Sequence, residues 1–537
     1  MPNLPIRDLG AIGVVTDVDP FNLPFNAFTR AKNVRFTNNN VERAPIFREV
    51  YDLGSDVPSF VFGLFSQSGY DTTLVATDTF KVYEYANNAV IEVYNGALTA
   101  NTSPYTACTL ANVEYINRND SDPIYRGPTM STFLPLPNWP LNTSCDALRA
   151  YGDFLIALNT TEDGVEYPTR VRFSDLVLAN NVPSTWDETD LTNSAGFNDL
   201  VQMETPILDG LTLGTNFYIY SSDQVWQMEF VGGQYIFNFR KVFDNTGVIN
   251  QNCVVEVDNK HFVFDNDDIY IHDGISKQSI CDRRVRNYIF SGLDRSKAKI
   301  CYVQHNPVLE EVYFCYHSGD DLAVYTDGDH CNRAAVYNYS SDTWTFMDMP
   351  NTVAGTIANV NSVETYDSIN LIYDTVGGTY HEQESKFTRY CITVSRSYTG
   401  RENSISTNRL LGIDLVDKGF LTKGIVQEII TDAVLERTGI DLDEAQIPLS
   451  GYKLINRIYP QVTTVNPDPE ILFQFGASQF ATQNPEYDET QVFDIANDYK
   501  VDTRMSGRYL SYRVTTPTPK DFTLSGFDLD IQLIGRR

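Results

Sequence analysis

The chain has 537 residues, of which 42% are hydrophobic and 12% aromatic, including 32 Tyr and 31 Phe. Its 70 Asp and Glu outnumber its 40 Lys and Arg, which gives a formal net charge of −30. Tight binders of duplex DNA normally carry the opposite balance, because cationic side chains displace counterions from phosphates; an adhesive nucleic-acid binder is therefore disfavoured. The length admits two to four domains, and abundant aromatic residues with frequent turn formers favour sheet.

No run of about 18 apolar residues occurs, so we expect no transmembrane helix. The first twenty residues lack the charged segment and continuous apolar run of a signal peptide, which indicates folding in a cytosol. Eight Cys without a Cys-x-x-Cys pair argue against a disulfide framework. Cys301 and Cys315 lie symmetrically about a predicted turn, Asn306–Glu310, but we expect them to be thiols in a reducing compartment.

Short strands joined by polar turns recur along the chain. The first 50 residues predict a hairpin, Asn33–Phe36 with Val41–Ala44, and we expect it to pack on the C-terminal domain because chain ends often lie close together. Residues 51–399 repeat one pattern, in which a strand, a polar turn and a second strand follow one another. Examples are Val82–Tyr85 with Ile91–Tyr94, Asn216–Tyr220, the two strands of His261–His272 around Asp265–Asp268, Val312–Tyr316, and Val336–Tyr339 with Trp344–Phe346.

Repetition of short antiparallel units over residues 51–399 predicts an irregular β-propeller, with a long array of sandwiches as the alternative. One segment, Arg283–Leu293, breaks the pattern, because its apolar residues recur at helical spacing and predict a short helix. Residues 400–537 show longer alternation, as in Leu510–Val514 and Phe527–Leu533, which predicts a separate β-sandwich-like platform domain. The expected fold class is therefore all-β.

Few residues suggest chemistry. No serine-hydrolase elbow, zinc-protease helix or phosphate-binding loop is present, which weakens those enzyme classes. Candidate zinc ligands lie close in sequence, but core thiols and surface imidazoles are their more ordinary interpretation. They are Cys301, Cys315, His317, His330 and Cys331.

An acidic run could supply oxygen ligands for calcium, but it lacks the closing Glu of a calcium loop and is typical of a hairpin turn. It comprises Asp265, Asp267, Asp268, Asp273 and the adjacent Gly274. The turn at Ser341–Trp344 is similar to the repeated turn of sialidase propellers, without its Gly. A glycosidase needs two placed carboxylates, which the sequence does not single out. We predict no catalytic residue, no metal site and no cofactor.

The densest basic stretch is a candidate contact for phosphates or for an acidic partner, although such a run is more often a solvated face. It comprises Arg283, Arg284, Arg286, Arg295, Lys297 and Lys299.

Three groups of short segments carry a recognisable sequence pattern. They are Asn26–Phe28 with Ala31–Phe36 and Val41–Pro45; Tyr151–Asn159 with Arg170–Asp175 and Trp186–Asp187; and Arg504 with Gly507–Arg513, Leu524–Asp530 and Gly535–Arg537. Together they resemble tail nozzle proteins, also called tubular or packaged-DNA stabilisation proteins, of short-tailed (podovirus-type) bacteriophages. Phe173 departs from the resemblance, since that family has Trp in this segment.

The resemblance implies a structural virion protein and not an enzyme, with a propeller and a platform domain. Copies would assemble in the host cytoplasm into a ring, a hexamer by resemblance, below the portal and head-to-tail adaptor, with tail fibres, spikes or a plug attached. Genome DNA would be retained and then ejected through the lumen without sequence-specific binding. In that setting Gly507 and Gly526 are expected at tight turns, and Arg504, Arg508 and Arg513 in structural or assembly contacts between strands or subunits.

The charge agrees with that role, because an acidic lumen repels phosphates whereas basic contacts would retard DNA. We therefore expect the surface that faces the DNA channel to be net negative and the basic stretch to face neighbours or the exterior. Two alternatives remain: a propeller module that binds a receptor or docks a fibre, and a carbohydrate-active propeller enzyme.

Overall fold

The computed structural model describes residues 4–65, 71–86, 89–190, 192–233, 235–320, 328–358, 390–399, 404–414, 432–442, 451–464, 470–481, 483–516 and 522–535. Strands dominate these ranges, so the prediction of an all-β fold is confirmed. None of the helices within these ranges is long and apolar enough to span a bilayer.

The N-terminal segment contributes short strands and one 3-10 helix at Pro20–Asn22. Asn38 and Asn39 adopt positive φ between two of these strands, as a tight hairpin turn requires, and this accounts for the predicted hairpin. The strands are β1 (Leu4–Ile6), β2 (Gly13–Val14), β3 (Ala27–Phe28), β4 (Arg30–Lys32), β5 (Val34–Thr37), β6 (Asn40–Arg43) and β7 (Ile46–Gly54).

Five four-stranded antiparallel sheets follow in the described part of the chain, each pairing its strands in sequence order. Unit one contains β8 (Pro58–Phe65), β9 (Asp71–Thr77), β10 (Lys81–Ala86) and β11 (Ala89–Asn95). Unit two contains β12 (Tyr105–Leu110), β13 (Val113–Arg118), β14 (Ile124–Arg126) and β15 (Leu134–Pro135). Unit three contains β16 (Thr143–Tyr151), β17 (Phe154–Glu162), β18 (Val165–Phe173) and β19 (Gly196–Asp199).

Units four and five repeat this arrangement. Unit four contains β20 (Ile207–Leu213), β21 (Asn216–Ser221), β22 (Gln224–Phe230) and β23 (Phe237–Asp244). Unit five contains β24 (Val254–Val257), β25 (Lys260–Phe264), β26 (Ile269–His272) and β27 (Lys277–Ser279). The helix α1 (Arg286–Gly292) and a 3-10 helix (Arg295–Ile300) come next, which confirms the predicted short helix with narrower bounds.

Two further units share the long strand β31 (Thr343–Ala358). Its first half completes unit six with β28 (Tyr302–Asn306), β29 (Glu311–Tyr316) and β30 (Cys331–Asn338). Its second half begins unit seven, which continues with β32 (Tyr390–Ser395) and β35 (Asn408–Asp414) and ends on the N-terminal strand β7. A small hairpin, β33 (Tyr398–Thr399) with β34 (Ser404–Ile405), lies between these strands in the sequence.

Neighbouring units bury apolar side chains against each other, and unit seven shares a core with unit one. Each fully buried side chain of this size stabilises the fold by about 1.5–3 kcal/mol. Representative pairs in successive shared clusters are Phe62 with Ile116, Tyr115 with Leu155, Ile156 with Phe217, Tyr220 with Val263, Phe264 with Phe314, Tyr313 with Leu411, and Val61 with Ile392. The first strands β8, β12, β16, β20, β24 and β28 contact one another in this order, and β31 contacts both β28 and β8.

Strands from both ends of the chain form a two-sheet sandwich. One sheet has the order β41-β37-β43-β6-β5, with β1 on β43; the other runs β4-β36-β42-β38, with β39 and β40 on β38. β4 also pairs with β31, which joins the sandwich to unit six. The C-terminal strands are β36 (Ala433–Ile440), β37 (Tyr452–Thr463), β38 (Glu470–Ser478), β39 (Glu486–Tyr487), β40 (Gln491–Asp494), β41 (Val501–Gly507), β42 (Tyr509–Thr516) and β43 (Thr523–Gly535).

The expectation of a tight turn is wrong for Gly526, whereas Gly507 directly precedes the bend at Arg508 that separates β41 from β42. Gly507 ends β41 and Gly526 lies inside β43, and neither has positive φ. Because neither Gly has a side chain, another strand can approach its backbone closely. A Cβ at Gly507 would lie 2.7 Å from the Cβ of Ala477, and one at Gly526 would lie 2.5 Å from the carbonyl oxygen of Ile6.

Gly526→Ala is expected to lower the free energy of unfolding by about 1–3 kcal/mol, because the added methyl meets backbone of β1 that cannot swing aside. Thermal unfolding of the purified variant measures this change. Gly319→Ala is the matched control, since no atom of the described residues, apart from its own chain neighbours, lies within 4 Å of its Cβ position. Equal melting temperatures for the two variants would contradict the close approach of β1 to β43.

Candidate functional site

Two connected cavities lie where the first strands of the seven units meet. One, of about 180 Å³, is lined by residues of β8, β12, β16, β20, β24, β28 and β31. The other, of about 350 Å³, lies at the beginning of the same strands, and both are lined by Phe60, Asn252 and Tyr302.

A buried network of hydrogen-bonded polar side chains, here called the brace, lies between the two cavities and consists of Arg149, Asp209 and Asn252. Arg149 donates from Nε and Nη2 to the two carboxylate oxygens of Asp209, at 2.8 and 2.7 Å, and Asp209 is fully buried. The backbone N–H of Asn252 donates to Asp209 Oδ2 at 2.9 Å, and its Nδ2 donates to the carbonyl of Tyr105 at 3.0 Å. Bidentate pairing fixes both groups in place, so units two, three, four and five are tied together across their meeting point.

The mouth of the larger cavity carries charges of both signs. Burial raises the pKa of Asp146, whose carboxylate accepts from Asn159 Nδ2 at 2.7 Å. Lys299 and Arg396 lie on the same mouth. Arg396 donates to the carbonyl of Pro58 at 2.7 Å. Because these charges offset one another, the mouth does not present the strong single-sign field that draws in a polyion.

A hydrogen-bonded chain of two imidazoles and a phenol joins units four and five. The Gly274 N–H donates to His272 Nδ1 at 3.1 Å, so the His272 Nε2–H donates to the Tyr220 oxygen at 2.6 Å. The Tyr220 hydroxyl in turn donates to His261 Nδ1 at 2.6 Å, and His261 Nε2–H donates to the Thr212 carbonyl at 3.0 Å. Burial lowers the pKa of His261 to about 4 and of His272 to about 3, so both rings are neutral at pH 7.

The residues weighed as zinc ligands have other partners. His317 Nδ1 lies 2.8 Å from the carbonyl of His330, and its Nε2 lies 3.1 Å from Lys297 Nζ. Cys315 packs in an apolar cluster and pairs in register with Tyr302, so it does not face Cys301. All eight Cys are free thiols. Within the described ranges no three His, Cys, Asp or Glu side chains are grouped closely enough to hold a metal ion.

Asp265, Asp267 and Asp268 of the acidic run form the predicted turn between β25 and β26, whereas Asp273 and Gly274 lie in the next turn, between β26 and β27. The Asp265 carboxylate accepts from the backbone N–H groups of Gly247 and Asn266, and burial raises its pKa to about 6. Asp268 accepts from Ser279 Oγ at 2.6 Å. These are structural contacts within and between neighbouring units.

The basic stretch does not form one patch. Arg284 makes a bidentate pair with Asp342, at 2.8 and 3.0 Å, and Arg286 donates to the Asp267 carbonyl at 2.8 Å. Lys297 donates to the Gly328 carbonyl at 2.6 Å. Lys299 lies on the cavity mouth. The two remaining members, Arg283 and Arg295, are exposed.

The arginines of the C-terminal motif lie on the sandwich in different settings. Arg513 donates to Glu436 Oε2 at 2.9 Å and stacks 4.3 Å from the ring centroid of Tyr487, so it links β42 to β36. Arg508 lies over the ring of Tyr452. Arg504 is exposed and lines a polar groove of about 670 Å³ with Asp502, Asp530 and other polar residues.

Sequence reasoning missed Arg149, Asp209, Asn252, Tyr220 and Asp146. Four of them stand in ordinary strand patterns and Asn252 stands in a turn, and only the meeting of units far apart in sequence gives each its role. The two His of the buried chain were noted as part of a hairpin, but nothing in the sequence points to Tyr220 as their partner.

Comparison with known proteins gives no further identification: no protein-family model matches the chain, and no curated protein matches it.

Proposed function

We propose that this chain is a structural subunit of the tail of a short-tailed phage, a ring-forming nozzle below the head-to-tail adaptor, and not an enzyme. The observation that most supports the proposal is the meeting of the resembling segments from the two chain ends. β42 pairs with β36 and β36 with β4, while β43 pairs with β6 through Leu524 and Val41. Resembling segments that are far apart in sequence, within residues 26–45 and 504–530, therefore belong to one sandwich, which would be the platform of the nozzle.

The seven units, in this proposal, form a seven-bladed β-propeller. Contacts of the first strands run in a closed order, neighbouring units share apolar cores, and one cavity is lined by all seven. Unit seven takes its last strand, β7, from just before unit one, so both ends of the repeated region contribute to the same sheet. Such closure leaves few exposed strand edges and would give a rigid domain, as suits a component of a virion under mechanical stress.

The conduit for DNA would then lie between copies, not inside one chain. A cavity of about 180 Å³ is far too small for a duplex, and Arg149, held by Asp209, lies in its wall. A ring of copies with a net charge of −30 each would offer a wall that repels phosphates. Retention and later ejection of the genome would depend on the parts attached to the ring, namely the adaptor above and fibres, spikes or a plug around it.

Native mass spectrometry of the purified full-length chain tests this proposal. We expect one dominant closed oligomer, a hexamer by resemblance, that persists on dilution. A chain that stays monomeric at the highest soluble concentration would overturn the nozzle. It would favour instead a peripheral module that binds a receptor or docks a fibre.

A further inference from the structure

Several exposed large apolar side chains lie on one rim of the units. In a four-stranded meander the turn from the first to the second strand and the turn from the third to the fourth lie at the same end, here called the turn rim. Six such residues lie on or beside the turn rim of units three to five and are here called the rim patch. They are Leu176, Leu178, Phe230, Val231, Tyr235 and Ile275, of which Ile275 is 87% exposed.

Contacts within the chain hold these residues side by side. The Phe230 ring lies 5.9 Å from that of Phe154, which follows the first turn of unit three. Val177, between Leu176 and Leu178, donates its N–H to the carbonyl of Asp153 in that same turn. In unit five, the turn that carries Ile275 abuts Tyr218 of unit four through Gly274. The rim patch therefore runs across three neighbouring units.

The same rim already binds the sandwich at unit six. Arg35 of β5 donates to Glu311 Oε1 at 3.0 Å and to the Leu309 carbonyl at 3.2 Å, both at the first turn of that unit. Ser341, in the second turn, donates to the Phe36 carbonyl at 3.4 Å. The rim patch lies on the same rim, at units three to five, where its side chains are exposed.

A second exposed apolar group lies at one end of the sandwich. Phe480 is 67% and Ile534 52% exposed, and with Leu533 they form what is here called the sandwich patch. Tyr452 connects its members, because it pairs in register with Gly535 and donates its hydroxyl to Gln479 Oε1. The guanidinium of Arg508 lies 5.9 Å from the Tyr452 ring centroid, so a cation accompanies this patch.

The charges beside the two patches are opposite. The rim patch is bordered by the exposed carboxylates of Asp153, Glu229 and Asp273, whereas Arg508 accompanies the sandwich patch. Large exposed apolar patches on soluble proteins mark interaction surfaces, and complementary charges at the border set the register. Two different apolar patches with opposite bordering charges on one chain are what a heterologous, head-to-tail interface requires, and such interfaces generate rings when the rotation closes.

We infer that the rim patch of one copy is covered by the sandwich patch of the next copy around the ring. This inference rests on the proposed nozzle function and names the surfaces by which the ring would close. It also assigns the sandwich two contacts on the turn rim, one with its own unit six and one with a neighbouring copy.

Three double variants test the interface. The rim variant is Val231→Asp with Ile275→Asp, and the sandwich variant is Phe480→Asp with Ile534→Asp. All four positions are more than half exposed, so the substitutions leave the fold intact. The control is Leu141→Asp with Val201→Asp, at positions that are 89% and 87% exposed beside unit three, away from its turn rim.

Sedimentation velocity and native mass spectrometry at one fixed concentration give the readout. We expect the control to form rings as the wild-type chain does, and the ring fraction of the rim and sandwich variants to fall at least tenfold. An equimolar mixture of these two variants is expected to give a one-to-one dimer, because each supplies the surface that the other lacks.

Several outcomes would overturn the inference. Rings formed by either variant would mean that another partner covers the patch, and dimers of one variant alone would mean that a patch pairs with itself. A mixture that yields no dimer would show that the two patches do not meet. These results differ from a monomeric wild-type chain, which would overturn the proposed ring itself and the interface with it.

Discussion

Asp209→Asn is expected to lower the free energy of unfolding by about 3–5 kcal/mol, because it leaves the buried Arg149 guanidinium without its counterion. The carboxylate that is lost accepts two hydrogen bonds from Arg149 and one from the Asn252 N–H, and it has no exposure to water. The loss is measured as the shift of the urea midpoint at pH 7, read by circular dichroism.

The matched control is Asp502→Asn, which removes the same charge from an exposed pair. Asp502 lies 3.0 Å from Arg457, and the two side chains are 60% and 47% exposed. Solvent screens that pair, so its loss is expected to lower the urea midpoint far less than the loss of the buried Asp209 carboxylate. If Asp209→Asn lowered the urea midpoint no more than the control does, the buried Arg149–Asp209 pair would not stabilise the fold as described.

Acidification from pH 7 to pH 5 is expected to remove roughly 4 kcal/mol of stability through His261 and His272 together. Burial lowers their folded-state pKa values to about 4 and 3, whereas the unfolded chain has an ordinary His pKa near 6.5. Between these values the unfolded chain binds more protons than the folded one. The stabilisation is therefore fully present above pH 6.5 and is lost as the pH falls toward 4.

Two measurements check this prediction. Histidine ring titration by NMR is expected to show both imidazoles neutral in the folded chain at pH 5. The urea midpoint is expected to fall between pH 7 and pH 5, and to fall by a smaller amount in the His272→Phe variant, which has one buried imidazole fewer. A variant with the same pH dependence as the wild-type chain would contradict the assignment.

Local features of the fold follow from the sequence because neighbours in the chain decide them. The turn at Asp265–Asp268 could be predicted from polar residues between two alternating segments, and α1 from apolar residues at helical spacing. In the sandwich, Phe527, Leu529 and Ile531 alternate with polar residues and are buried as their period indicates.

Features that join distant segments could not be predicted in this way. β7 pairs with β35 and β43 pairs with β6, and each choice of partner depends on the assembled fold. Gly526 was expected in a turn because Gly is common there, yet its reason is the carbonyl of Ile6 on another strand. Asp209 is followed by Gly210, and an Asp-Gly pair is typical of turns. Only the folded chain shows that Asp209 is buried and paired with Arg149. The domain boundaries near residues 50 and 400, the blade arrangement and the assembly role of the C-terminal motif stay predictions.

In the proposed nozzle, copies of this chain surround a passage whose wall is acidic. Cryo-electron microscopy of the assembled full-length protein tests it most directly. We predict a closed ring whose central hole lies between copies, with a net negative lining and with the basic stretch turned toward neighbours or the exterior. Isolated monomers, or a hole lined by Arg283, Arg284 and Lys297, would contradict it.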